Sequence, residues 1–120
     1  MREVVSQIVA TRLGTFAALL LAAFLEAYGD SFFQQGLYRS SGVARYAAFA
    51  AGALTLASYG LVVNTPPWDF GKLLGVYVVL FFLVAQLLAW VRFHQMPTVP
   101  IVVGGSLIVA GGAVITLWKA

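Results

Sequence analysis

The chain has 120 residues, of which 62% are hydrophobic and only 9% charged, with a mean hydropathy of +0.94. A soluble domain of this size would leave too much apolar surface in water, so composition excludes that class. The net charge of +3 rests on seven basic residues dispersed singly, which excludes the basic patch a nucleic acid requires, and zero cysteines exclude a disulfide framework and thiolate metal sites.

A membrane-spanning helix takes about 20 mostly apolar residues at 1.5 Å rise each, so four spans nearly exhaust the chain. The expected fold is therefore an all-α membrane protein with a short lead over 1–12 and a single four-helix transmembrane domain over 13–120. In the lead, Arg2 and Arg12 flank the bilayer. The first span is predicted over 13–34. Its Ala- and Leu-rich run behind Arg12 invites a secretory signal reading, but the apolar region of a signal is typically shorter than this one.

Residues 36–45 carry Gly36, Arg39, Ser40, Ser41 and Gly42, turn chemistry joined to interfacial charge, and are expected to form the first loop. The second span, 46–63, is rich in Ala and Gly and so permits close helix approach; it ends at Asn64, Thr65, Pro66 and Pro67. The third, 70–90, has Lys72 placed to reach the headgroups along its own aliphatic stem, and Arg92 just past its end. Met96, Pro97, Thr98 and Pro100 lead into the fourth, 99–118. Every proline lies between spans or at the start of one, and Trp68, Trp90 and Trp118 sit near predicted span ends, as an interfacial aromatic belt requires.

Basic residues set membrane orientation. Arg2, Arg12, Lys72 and Lys119 fall on one side and Arg39, Arg45 and Arg92 on the other, so the bias is close to nil. A chain so balanced suits dual topology, in which two copies of opposite orientation pair as an antiparallel dimer and recreate the inverted symmetry that many transporters hold within one chain. One fixed orientation is the plain alternative.

Glu26 stands near the middle of the first span, where a carboxylate is costly and marks an ion or substrate pathway by default. Glu26, Asp30 and Gln34 recur every four residues and share a helix face, which Ala22, Ala23 and Gly29 make narrow and open to close approach. These small residues are expected to line a pocket shared with a second copy, where protons and a cationic ligand compete for the carboxylates. The structural alternative for Glu26 is an ion pair with Arg45 or Lys72. Tyr77, on the third helix, is placed either to stack on a cation or to donate its hydroxyl to Glu26, or simply to fill the core. His94, beside Arg92 and Gln95 at a helix end, reads as a solvated histidine and is given no role. On the fourth helix Gly104 and Gly111, seven apart, and Ser106 and Ala110, four apart, make a packing face for a dimer or for a neighbour in the same chain. No phosphate loop, metal-ligand cluster or activated nucleophile is visible, and an enzyme is not expected.

Three stretches carry a family resemblance. They are Leu25-Glu26-Ala27-Tyr28-Gly29 with Ala22, then Gly71 with Tyr77, then Pro100, Gly104, Leu107, Ile108 and Gly111. With these the chain resembles the small multidrug resistance superfamily of four-span transporters, which have an acidic residue followed three positions later by glycine in the first helix and a dimer motif in the fourth. The resemblance implies proton-coupled export of small organic cations of quaternary ammonium or guanidinium type across a prokaryotic inner (plasma) membrane. It implies Glu26 as the shared site, Gly104, Leu107, Ile108 and Gly111 at the dimer interface, and a second copy or a paralogous four-helix chain as partner, with the proton as coupling ion and no other cofactor. The chain departs from the family in two places: Val78, Val79, Leu80 and Phe81 replace the glycine pair that usually lets the third helix kink, and Asp30 adds a second acidic group. The reading from a different class is a structural or accessory membrane subunit that docks its glycine-rich faces on a larger complex.

Overall fold

A computed structural model describes residues 12–118, so most of the expected lead lies outside the described residues, as does Lys119. Four helices follow one another: α1 (Arg12–Tyr38), α2 (Gly42–Val63), α3 (Phe70–Phe93) and α4 (Val99–Leu117). Each is long and apolar enough to cross a membrane, and no strand occurs among the described residues.

The largest difference from expectation is the first loop. Helix α1 runs on to Tyr38 and α2 begins at Gly42, so the connection is residues 39–41 and not 36–45. Gly36 is not a turn residue. It lies inside α1 facing Phe49 of α2, where a Cβ would come within 2.6 Å of the ring. The chain reverses at Gly42 instead, whose φ of +61° is a conformation that residues with a Cβ rarely adopt. Helix α3 likewise continues three residues beyond 90, to Phe93, and stops where His94 turns left-handed at φ 56°. Pro66 and Pro67 follow α2, and Pro100 occupies the first turn of α4, where its missing N–H costs nothing.

Packing is serial. Helix α1 lies between α2 and α3, and α4 leans on α3 alone. The assembly is flattened, 51 × 42 × 20 Å, which is about four helix diameters wide and two deep. Glycines set the approach of α1 to α2: a Cβ on Gly29 would lie 3.3 Å from the Gly52 carbonyl oxygen, and one on Gly52 3.0 Å from that of Gly29. Backbones this close gain dispersion contacts along both helices, the main attraction available where lipid removes the hydrophobic drive. Between α3 and α4 the same device recurs with knobs: Ile115 fills the space over Gly75, Val79 that over Gly112, and Phe82 that over Gly105.

The outward surface is apolar, with Leu61 77% and Leu107 71% exposed. Side chains of this kind in contact with acyl chains carry no penalty, whereas polar groups there must be satisfied within the protein. Ser31, Thr55, Ser58, Asn64, Ser106 and Thr116 each donate a side-chain hydrogen bond to a carbonyl of the preceding turn. These six side chains are therefore satisfied by the backbone of their own helix or of the helix they cap.

Candidate functional site

Halfway along α1, the carboxylate of Glu26 accepts a hydrogen bond from the Tyr77 hydroxyl, Oη to Oε1 at 2.8 Å. Tyr77 is only 4% exposed and belongs to the buried cluster that includes Leu19, Ala22, Ala23 and Ala27 of α1 and Leu73, Val76 and Val84 of α3. Its ring lies 5.7 Å from that of Tyr59 on α2 and 6.1 Å from that of Phe81 one turn along α3. Three helices thus converge on one carboxylate, with a row of three aromatic rings beside it.

The structural alternative for Glu26 does not form. Arg45 donates its Nε hydrogen to the Gly36 carbonyl at 3.0 Å, and the Lys72 ammonium sits 5.1 Å from the centre of the Trp68 ring. Among the described residues Glu26 has no cationic partner.

The small residues of the same region occupy contacts between helices. Ala22 and Ala23 are fully buried, and Gly29 is pressed against Gly52 and Leu56 of α2. They set how near the neighbouring helices come to Glu26. Asp30 lies one turn beyond Glu26 on an exposed part of α1, bordering a cleft toward α3 with Gln34, Ser31 and Gln95. On α4 the two glycine pairs divide: Gly105 and Gly112 hold α3, whereas Gly104 and Gly111 meet nothing within 4 Å. Leu107 is exposed beside them and Ile108 half-buried. His94 is exposed at the end of α3, as a capping residue.

Tyr59 is the residue that sequence reading passed over. The signal existed in spacing: Gly52, Leu56 and Tyr59 stand at i, i+4 and i+7, so the face of α2 that meets Gly29 also carries Tyr59. At the opposite edge of α1, Arg92 is caged. Its guanidinium lies 4.9 Å from the Phe32 ring centre and 5.9 Å from that of Tyr28, and it donates a hydrogen bond to Gln35 Oε1.

Comparison with known proteins agrees with the architecture. A protein of Herpetosiphon aurantiacus described as a UPF0060 membrane protein is 32% identical over 69 residues, which cover 56% of this chain and 63% of that protein. The chain is an integral membrane protein. A bacterial relative and four membrane-length helices fit a small four-helix protein of a prokaryotic membrane. No protein-family model matches the chain, and no solved structure does.

Proposed function

We propose that the chain is a proton-coupled antiporter of small organic cations, working as an antiparallel dimer in which Glu26 of each copy binds either a proton or the cation. The observation that carries this reading is the Glu26–Tyr77 contact: a carboxylate halfway along a membrane-length helix, held by a neutral hydroxyl and left without a cationic partner among the described residues. A carboxylate at that depth exists at a cost, and a structural role would neutralise it with an arginine or lysine. Here the neutralising charge is left for a ligand to bring.

The aromatic row supports the cation. The half-buried rings of Tyr59 and Phe81, which flank Tyr77, offer a negative quadrupole next to a negative charge, a combination that favours organic cations over anions and neutral molecules. Competition between proton and cation for one carboxylate is enough to couple their movements in opposite directions: the site releases one only when it takes the other.

The dimer follows from what a single copy leaves uncovered. Asp30, within the span of α1, is exposed, and acyl chains are a forbidding neighbour for it. A flat layer only 20 Å deep closes no chamber of its own, and a second layer of opposite orientation would place two Glu26 and two Asp30 around a shared one. Resemblance to the small multidrug resistance superfamily at Glu26, Gly29, Tyr77 and the α4 motif adds to this reading.

Reconstituted protein and its Glu26→Gln variant test it. Acidifying one side of the vesicle is expected to drive uptake of an organic cation such as tetraphenylphosphonium in the wild type and not in the variant. Equal uptake in both removes the mechanism.

A second reading has one observation in its favour. Helix α4 rests on α3 alone and presents Gly104 and Gly111 unoccupied, a face that suits docking to a larger membrane complex. An accessory subunit of that kind would copurify with a fixed partner and bind no cation.

A further inference from the structure

The cleft at Asp30 adjoins the Glu26–Tyr77 contact through the Phe81 ring but is lined by neither of those two residues, and it has chemistry of its own. It measures about 230 Å³ and lies between the second half of α1 and the end of α3. Helix α1 supplies Asp30, Ser31 and Gln34, and α3 supplies the rings of Phe81 and Phe93; Gln95, delivered by the left-handed turn at His94, closes the outer end. Alanines at 27, 85 and 89 keep the space open.

This lining is rich in acceptors. Asp30 brings a carboxylate, and Gln34 and Gln95 each bring an amide carbonyl that accepts no hydrogen bond among the described residues. Ser31 donates to the Tyr28 carbonyl and so keeps its oxygen lone pairs available. Among the described residues no lysine or arginine lines the cleft itself, although the Arg39 and Arg92 guanidinium groups lie 4.7 and 5.8 Å from the centre of the Phe93 ring at its edge. A negative charge beside several oxygen acceptors and the Phe81 ring, with the Phe93 ring already taken by guanidinium groups of the chain itself, calls for a cation that carries its own N–H donors. A quaternary ammonium ion brings charge but no donor, and would leave those oxygens unpaired.

Position gives the cleft a role. Asp30 is four residues from Glu26, about 6 Å along the helix axis, and Gln95 lies two residues past the last residue of α3, beyond the end of that membrane-length helix. The cleft therefore leads from the end of α3 to the level next to Glu26.

We propose that the cleft lined by Asp30, Gln34 and Gln95 is a second cation site, selective for primary ammonium or guanidinium groups, at which such a ligand is held between the membrane surface and Glu26. Its place as a waystation rests on the exporter reading above; binding at the cleft does not.

The test separates the two by using full-length Glu26→Gln protein in detergent, which lacks the central carboxylate and is already expected to be transport-dead. Calorimetric titration with guanidinium chloride is expected to saturate, with tetramethylammonium and sodium at least about tenfold weaker, since each hydrogen bond to a charged partner is worth about a factor of ten or more. Adding Asp30→Asn is expected to weaken guanidinium binding at least about tenfold. Gln34→Leu, at an exposed side chain, is expected to weaken it several-fold, and it decides the matter if the Asp30 variant does not remain monodisperse. Absence of saturable guanidinium binding in the Glu26→Gln protein overturns the proposal. So does binding unchanged by both substitutions, or binding of tetramethylammonium or sodium as tight as that of guanidinium. Failure of the exporter reading would show instead as uptake by the wild type that ignores Glu26.

Discussion

The hydroxyl of Tyr77 lies 2.8 Å from the carboxylate of Glu26, tying the first half of α3 to the middle of α1, a membrane-length helix in which a charge is costly. A hydrogen bond to a charged group is worth about 1.5–3 kcal/mol, and the ring of Tyr77 is independently held by Tyr59 and Phe81. Tyr77→Phe keeps the ring and removes only the donor. It is expected to leave helix content and thermal stability close to wild type while lowering cation affinity about tenfold, measured by tetraphenylphosphonium binding in detergent. Unchanged affinity would make Tyr77 a core residue and nothing more.

Gly29 and Gly52 meet backbone to backbone where α1 crosses α2. Overpacking a tight contact costs about 1–3 kcal/mol. Gly52→Val is therefore expected to lower the thermal midpoint in detergent, whereas Gly60→Ala, on the same helix with nothing within 4 Å, is expected to leave it unchanged or raise it slightly through helix propensity. Equal effects of the two would show that the crossing is not where α1 and α2 are held.

How much of this was legible in the sequence divides along a physical line. Four spans could be read because apolar length is a property of one segment at a time, and Pro66, Pro67 and Pro100 punctuate them. Glu26 stood out for the same reason. What one segment cannot reveal is which neighbour its face meets. Gly36 reads as a turn because glycine commonly makes turns, and only the arrival of Phe49 shows it to be a packing site inside α1. Gly29, Ala22 and Ala23 share a span with Glu26, yet their surroundings are other helices. Tyr59 became visible only when Gly52 was known to face α1, since the i, i+4, i+7 row needs one fixed point to orient it.

On α4, adjacent glycines make opposite demands. Gly112 takes Val79 of α3, and Gly111 faces away from the chain. Gly112→Leu is expected to loosen α4 from α3 and lower the thermal midpoint. Gly111→Leu is expected to spare the single chain and shift a dimer toward monomer in analytical ultracentrifugation. A monodisperse dimer that persists in Gly111→Leu would move the interface elsewhere.

Arg92 is held by aromatic faces more than by charge, for Phe32, Tyr28 and Phe93 surround its guanidinium. A cation–π contact is worth about 0.5–2 kcal/mol, and a planar fork that stacks is poorly copied by an ammonium. Arg92→Lys is accordingly expected to lower stability nearly as far as Arg92→Ala, by about 1 kcal/mol, in thermal unfolding. Full rescue by lysine would point to charge alone.

Proton release on cation binding tests the sharing of Glu26 most directly. In weakly buffered detergent solution, mixing wild-type protein with tetraphenylphosphonium is expected to release protons as the cation displaces them, and Glu26→Gln is expected to release none. Tight binding by the wild type with no proton released, or the same release from Glu26→Gln, contradicts a carboxylate that serves proton and cation in turn.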